Sequence, residues 1–240
     1  MCMRVIRAPH LARAHELVVK TVLEKGHTIE TEDREATVEC EGLAVTIANP
    51  LTEPMVSSAS RFCRRFMEQY AAYLLHGSDS VFEYDYHGRL FDWGERLTSG
   101  EGADVHIDQV AYIVKKLMES STSRRALAIT WNPIVDESLD ECPCLQLVQC
   151  LIRENKLQMN VVFRSNDMLS AAGANMFALA KLQEAIASQL GLICGSYTHI
   201  SLIPHIYYLR DLNDIEPFCA KGQEIRPIDE VCRICSKCVR

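Results

Sequence analysis

The sequence predicts an α+β protein, one mixed β-sheet with helices packed against it. Three observations carry that expectation. Strand-like and helix-like segments are interleaved without a regular strand–helix–strand rhythm. Cys144 to Arg153 and Leu157 to Arg164 flank Glu154-Asn155 as the arms of a hairpin would. The chain also has 240 residues and 48% hydrophobic content, enough for one domain with a sizeable core. No repeat, low-complexity tract or linker divides residues 1–240.

Taken in order, Met3 to Ile6 is a short strand, and Ala12 to Glu24 is a helix closed by Gly26. Glu35 to Asn49 alternates around Glu41-Gly42, which suggests another hairpin. Ser57 to His76 reads as one long helix, opened by the serines and stopped by Gly77. Gly77 to Gly102 is too rich in Gly and Asp for a regular element, and its length marks it as a functional loop. His106 to Ser120 is helical, with Val110, Ile113, Val114 and Leu117 on one face. Arg125 to Trp131 is a strand leading into Asn132-Pro133. In the second arm of the later hairpin, Leu157, Met159, Val161 and Phe163 share one face. Gln158, Asn160, Val162 and Arg164 share the other, which is polar enough to line a pocket. Asn175 to Leu190 is a buried helix and Tyr197 to Tyr208 a final long strand.

A formal charge of −7 argues against a surface that wraps polyanions, so no nucleic-acid partner is expected and any phosphate should sit in a local pocket. No apolar run approaches the roughly 18–20 residues of a membrane span, and Met1 to Pro9 is too short and mixed for a signal peptide. The expected location is the cytoplasm, with the eleven cysteines mostly reduced thiols. Cys40, Cys63 and Cys150 lie in apolar surroundings that suit packing. Residues 219–240 form a Cys-rich tail in which Cys232, Cys235 and Cys238 are spaced by two residues, with Cys219 upstream. Such a set can hold a tetrahedral zinc or part of an iron–sulfur cluster, or it can be reduced thiols on a flexible basic tail.

The chemistry centres on Pro143-Cys144, followed by Arg164-Ser165-Asn166-Asp167 and then His205-Ile206-Tyr207. A thiolate at neutral pH needs a nearby positive charge, and a phosphate needs a guanidinium fork. One short region supplies both.

Together these segments resemble the thymidylate synthase family, across most of Glu68 to Tyr207. The resemblance rests on Ile107-Asp108-Gln109, Ser123-Arg124-Arg125 with Trp131-Asn132-Pro133, and Pro143-Cys144 with Gln149. Arg164-Ser165-x-Asp167, Asn175, Gly195 and His205-x-Tyr207 then keep the family's spacing from Cys144 without a gap. It implies a thymidylate synthase-like fold with a sheet-mediated homodimer, and conversion of dUMP to dTMP. The Cys144 thiolate would add to C6 of the uracil ring, and C5 would accept a one-carbon unit from a reduced pterin. It assigns Arg164 and Ser165 to the phosphate, and Arg124 and Arg125 to the phosphate of the partner's site. Asn175 would read the uracil edge, His205 and Tyr207 the 3′-hydroxyl, and Asp167 the base and the pterin. Glu68 would relay protons through water, provided its carboxyl is partly buried. Plainer roles stand beside these: an i,i−4 ion pair with Arg64 for Glu68 and a helix N-cap for Asn175.

The departures from the family pattern cluster where the pterin would sit. Leu145, not histidine, follows Cys144. Ala171-Ala172-Gly173-Ala174 precedes Asn175, and Ile203-Pro204 precedes His205. The pattern resembles the divergent archaeal branch, so the donor is expected to be methylene-tetrahydromethanopterin or methylene-tetrahydrofolate. The alternatives are a pyrimidine-nucleotide 5-hydroxymethylase and a non-catalytic nucleotide-binding regulatory homologue.

Overall fold

The computed structural model describes residues 3–78, 85–94 and 106–220. It forms the expected α+β architecture. The strands are β1 (Arg4–Ala8), β2 (His27–Glu30), β3 (Ala36–Glu39), β4 (Leu43–Ile47), β5 (Leu127–Ile129), β6 (Leu145–Arg153), β7 (Lys156–Asp167) and β8 (Ile193–Ile206). The helices are α1 (Leu11–Lys25), α2 (Arg64–His76), α3 (Tyr86–Phe91), α4 (Gln109–Glu119), α5 (Ala172–Gln189) and α6 (Leu212–Ala220). Along the sheet the order is β1-β4-β8-β7-β6-β5, and β3 extends the β4 side of β8 while pairing with β2. Parallel pairs (β1/β4, β7/β8) stand among antiparallel ones (β4/β8, β6/β7, β5/β6), so the sheet is mixed.

The β6–β7 hairpin forms where its sequence places it. Glu154 and Asn155 both take positive φ (52° and 56°), the conformation of a two-residue turn that matches strand twist. Leu157, Met159, Val161 and Phe163 are fully buried. Against them lies α5, whose buried residues run round the whole helix, with α1 beside it. The opposite face carries Gln158, Asn160, Val162 and Arg164 at intermediate to full exposure, beside half-exposed Leu147, Leu151 and Ile200. That face does not line the pocket described below. Gln158 instead accepts from the backbone N–H and hydroxyl of Ser196 across the β7–β8 pair.

Three expectations need correction. The Glu41-Gly42 turn does not close a hairpin. Val38 and Glu39 of β3, and then Leu43 to Ile47 of β4, pair in sequence along the same edge of β8. The chain bends at Gly42 (φ +82°) and continues, tied by Cys40 N–H to the Pro204 carbonyl. The helix expected from Ser57 begins only at Arg64. The Ser57 and Ser60 hydroxyls accept from the N–H groups of Ala59 and Phe62, closing local turns that compete with a helix start. Within Gly77–Gly102 a short helix does form, α3, because the Asp85 carboxylate caps the N–H of Gly88. Residues 79–84 and 95–102 of that segment and the cysteines Cys232, Cys235 and Cys238 lie outside the described residues.

Cys40 and Cys150 are buried, and burial pushes the Cys150 thiol up to about 12. Cys63 is exposed at the N-terminus of α2, and Cys219 is buried in α6. Among the described residues no helix is long and apolar enough to cross a membrane.

Candidate active site

Cys144 stands immediately before β6, half-buried against the core. Three carbonyls around it are held by one residue. The Arg164 backbone N–H donates to the Cys144 carbonyl at 2.8 Å, and its guanidinium donates to those of Pro143 (3.1 Å) and Cys142 (2.8 Å). On the other side, the Leu145 N–H donates to the Tyr86 hydroxyl at 3.1 Å, and the Leu145 carbonyl accepts from Thr130 Oγ1. The β6/β7 register shifts between Leu145 and Leu147, a bulge that turns the strand end at the cysteine. Cys144 therefore sits on a segment braced by Arg164 on one side and by Tyr86 and Thr130 on the other.

A buried ion pair stiffens this end of the sheet. Asp136, fully buried, receives both guanidinium arms of Arg89 (2.5 and 3.1 Å) and the Asn132 N–H (2.6 Å). Arg89 also donates to the carbonyl of Thr130, the residue whose hydroxyl grips Leu145.

Ser165, Asp167, His205 and Tyr207 converge where β7 and β8 run parallel. Ser165 Oγ lies 3.2 Å from His205 Nδ1, and the His205 and Tyr207 rings meet edge-to-face at 5.1 Å. Asp167 is heavily engaged. Its Oδ1 caps the N–H groups of Leu169 and Ser170, and its Oδ2 accepts from Arg210 at 2.9 Å. Asn175 lies inside α5, not at its start, so the N-cap role falls away. It lines a narrow, largely apolar pocket with Tyr70, Tyr86, Leu145 and Phe163.

Three expected residues lie elsewhere. Arg124 and Arg125 are exposed just before β5, whose Leu127 pairs with Gln149. That is the far end of β6 from Cys144, roughly 20 Å away at about 3.3 Å per strand residue. Neither guanidinium has a hydrogen-bond or ion-pair partner among the described residues. Glu68 is not partly buried. Its side chain is 56% exposed and pairs with Arg64 at 2.8 Å, because the buried stripe of α2 runs through Met67, Ala71 and Leu74.

Besides Leu74, the α2 residue that reaches the site is Tyr70, whose hydroxyl donates to Asn175 Oδ1 at 2.9 Å. Sequence reasoning missed it, although Tyr70 falls in the stripe that Met67 and Leu74 define. It also missed a buried set behind Asn175. Asn175 Nδ2 reaches Asn166 Oδ1 (3.4 Å), Asn166 Nδ2 reaches His199 Nε2 (2.9 Å), and His199 Nδ1 reaches the Tyr197 hydroxyl (2.8 Å). The signal available was a histidine alternating with Tyr197 and Ser201 on the core-facing side of a strand, where a polar group needs partners.

Burial depresses His199 to about 3, and burial also lowers His15, whose Nε2 faces the Met168 carbonyl at 3.0 Å. For a ring held neutral in the fold, stability is complete above the ordinary value of 6.5 and is lost as pH falls towards the depressed one. Each such ring costs about 1.4 kcal/mol per pH unit in that window. Urea unfolding at pH 7 and pH 5 should therefore differ by about 2 kcal/mol or more. Equal stability at the two pH values would contradict the burial of these rings.

The thymidylate synthase family profile matches residues 79–227, a span that includes Cys144, Arg164, Asn175 and His205. A protein of Methanocaldococcus jannaschii, provisionally named a thymidylate synthase, is 42% identical over 224 residues, 90% of this chain and 97% of that protein. One from Methanosarcina acetivorans with the same provisional name is 35% identical over 205 residues, 85% of this chain and 89% of its own. A third, from Methanopyrus kandleri, is 36% identical over 138 residues, 57% and 64% of the two chains. With the profile spanning the braced cysteine and the groups around it, and a relative matched along almost its whole length, this chain belongs to the thymidylate synthase family.

Proposed function

We propose that this chain converts dUMP to dTMP by covalent catalysis at Cys144. The observation that carries the reading is the grip of Arg164 on three carbonyls around a half-buried thiol. A fixed cation there favours the thiolate. Of the five N–H donors of the guanidinium, the two spent on carbonyls leave three for a phosphate. The thiolate adds to C6 of the uracil ring, which makes C5 a carbon nucleophile, and it leaves again when the product forms. Ser165 donates to the phosphate, His205 and Tyr207 hold the 3′-hydroxyl, and Asn175 reads N3–H and O4 of the base. Glu68 is given no step, since its carboxylate is exposed and paired with Arg64.

The co-substrate that fits is a reduced pterin, methylene-tetrahydromethanopterin or methylene-tetrahydrofolate, which supplies the one-carbon unit and the hydride. After its three hydrogen bonds, the Asp167 carboxylate retains a lone pair for a ring N–H. Phe66, 38% exposed in the stacked row Phe62–Phe66–Tyr70, offers a flat apolar face. The active unit in this reading is a homodimer joined through the helix-free sheet face. Arg124 and Arg125, remote from their own Cys144, then reach the phosphate in a second copy.

Incubation with 5-fluoro-dUMP, with and without each pterin, followed by intact-mass and peptide analysis, tests the proposal. A ternary adduct on Cys144 is expected, and the pterin that yields it is the donor. Nucleotide binding with no adduct from any donor would favour the non-catalytic reading instead.

A further inference from the structure

The hydrogen bonds behind Asn175 form one chain: Tyr70 hydroxyl, Asn175 amide, Asn166 amide, His199 imidazole, Tyr197 hydroxyl. Four of its five members are buried, with Asn175 8%, Asn166 3%, His199 1% and Tyr197 0% exposed. Every link can run in either direction, but all must run together. Where Asn166 donates through Nδ2 to His199 Nε2, that nitrogen is the bare one, and Nδ1–H donates to Tyr197. Asn166 Oδ1 then accepts from Asn175 Nδ2, and Asn175 Oδ1 accepts from Tyr70. The reverse direction needs the Nε2–H tautomer of His199, rotation of both amides and a donating Asn175 Nδ2 at Tyr70. A mixed state leaves a buried polar group unpaired, at about 1–3 kcal/mol.

We propose that the choice between a uracil and a cytosine nucleotide is set by the His199 tautomer, transmitted through Asn166 to the amide orientation of Asn175. This rests on Asn175 being the base selector. Uracil offers a donor at N3 and an acceptor at O4, whereas cytosine offers an acceptor at N3 and a donor at N4. One orientation of the Asn175 amide serves each base. Asn166, His199 and Tyr197 are positioning residues that hold the orientation for uracil. Burial keeps His199 neutral, so a single ring proton defines the direction of the chain.

The test has two parts. Imidazole 15N NMR of the wild-type protein reads the tautomer directly, and Nδ1–H with a bare Nε2 is expected, unchanged by dUMP. An Nε2–H tautomer overturns the proposal whatever the activity. Binding of dUMP and dCMP is then compared in wild type, Asn166→Ala and Asn166→Asp. Alanine removes the link from Asn175 to His199 seen among the described residues, so the dUMP/dCMP preference should fall by about 10-fold or more, the ratio expected from one unpaired buried group. Aspartate accepts from Asn175 as asparagine does and accepts Nε2–H from His199 instead of donating to it, so it should keep the preference while the His199 tautomer reverses. A merely structural role for Asn166 predicts that both affinities fall together in both variants, and that result overturns the proposal. If the wild type binds dUMP selectively, such a result leaves the reading of Asn175 standing. Should the wild type bind neither nucleotide, both fail.

Discussion

Arg89→Met is expected to lower the unfolding free energy by about 3–5 kcal/mol, because it strands the fully buried Asp136 carboxylate without its cation. For a chain of this size that is a fall of roughly 6–20 °C in thermal midpoint. The carboxylate would keep only the Asn132 N–H, one neutral donor against a desolvated charge. The paired variant Arg89→Met/Asp136→Leu should recover more than half of the loss, since both charges then leave the interior together. Calorimetry on the three proteins settles the matter. A single-variant loss below about 1 kcal/mol would place the pair in the class of exposed ion pairs. The same replacement should slow adduct formation at Cys144, because Arg89 also holds the Thr130 carbonyl, and Thr130 in turn holds Leu145.

Cys144→Ala is expected to abolish turnover, a loss on the order of 10⁴–10⁶ in kcat, while dUMP still binds. The side chain removed is half-buried and small, so the fold should persist. Dehalogenation of 5-bromo-dUMP needs the thiol and no pterin, and it should vanish in the same variant. Measurable dTMP formation or debromination by Cys144→Ala would place the nucleophile elsewhere in the chain.

Much of this was legible in the sequence where a pattern has one physical solution. The stripe Val110, Ile113, Val114 and Leu117 could only be the buried face of a helix, and it is. The turn at Glu154-Asn155 allowed only a tight hairpin. The twenty-residue spacing from Cys144 to Arg164 across that hairpin placed the two side by side at its open end. What escaped was decided by distant partners. The alternation around Gly42 is the same whether two strands pair with each other or share a third, and only β8, far along the chain, chooses. Glu68 was assigned by resemblance, whereas the helical phase set by Met67 and Leu74 turns it to solvent and turns Tyr70 inward. Asn166 and His199 meet side chain to side chain although the β7–β8 register pairs them with Pro204 and Val161, an approach no local spacing encodes.

The position of β8 has a consequence for how the molecule is made. Thr46 of β4 bonds Thr198 of β8 across 152 residues. At ribosomal speeds of about 5–20 residues per second, the early strands wait roughly 8–30 s for the segment that completes them. During that interval Leu43, Val45 and Ile47, all fully buried at the end, have β1 on one side but lack β8 on the other. Long-range pairings of this kind also fold slowly once the chain is complete. The nascent protein is therefore most vulnerable to self-association before its last long strand emerges, and holding chaperones should favour the N-terminal third over the hairpin that carries the cysteine.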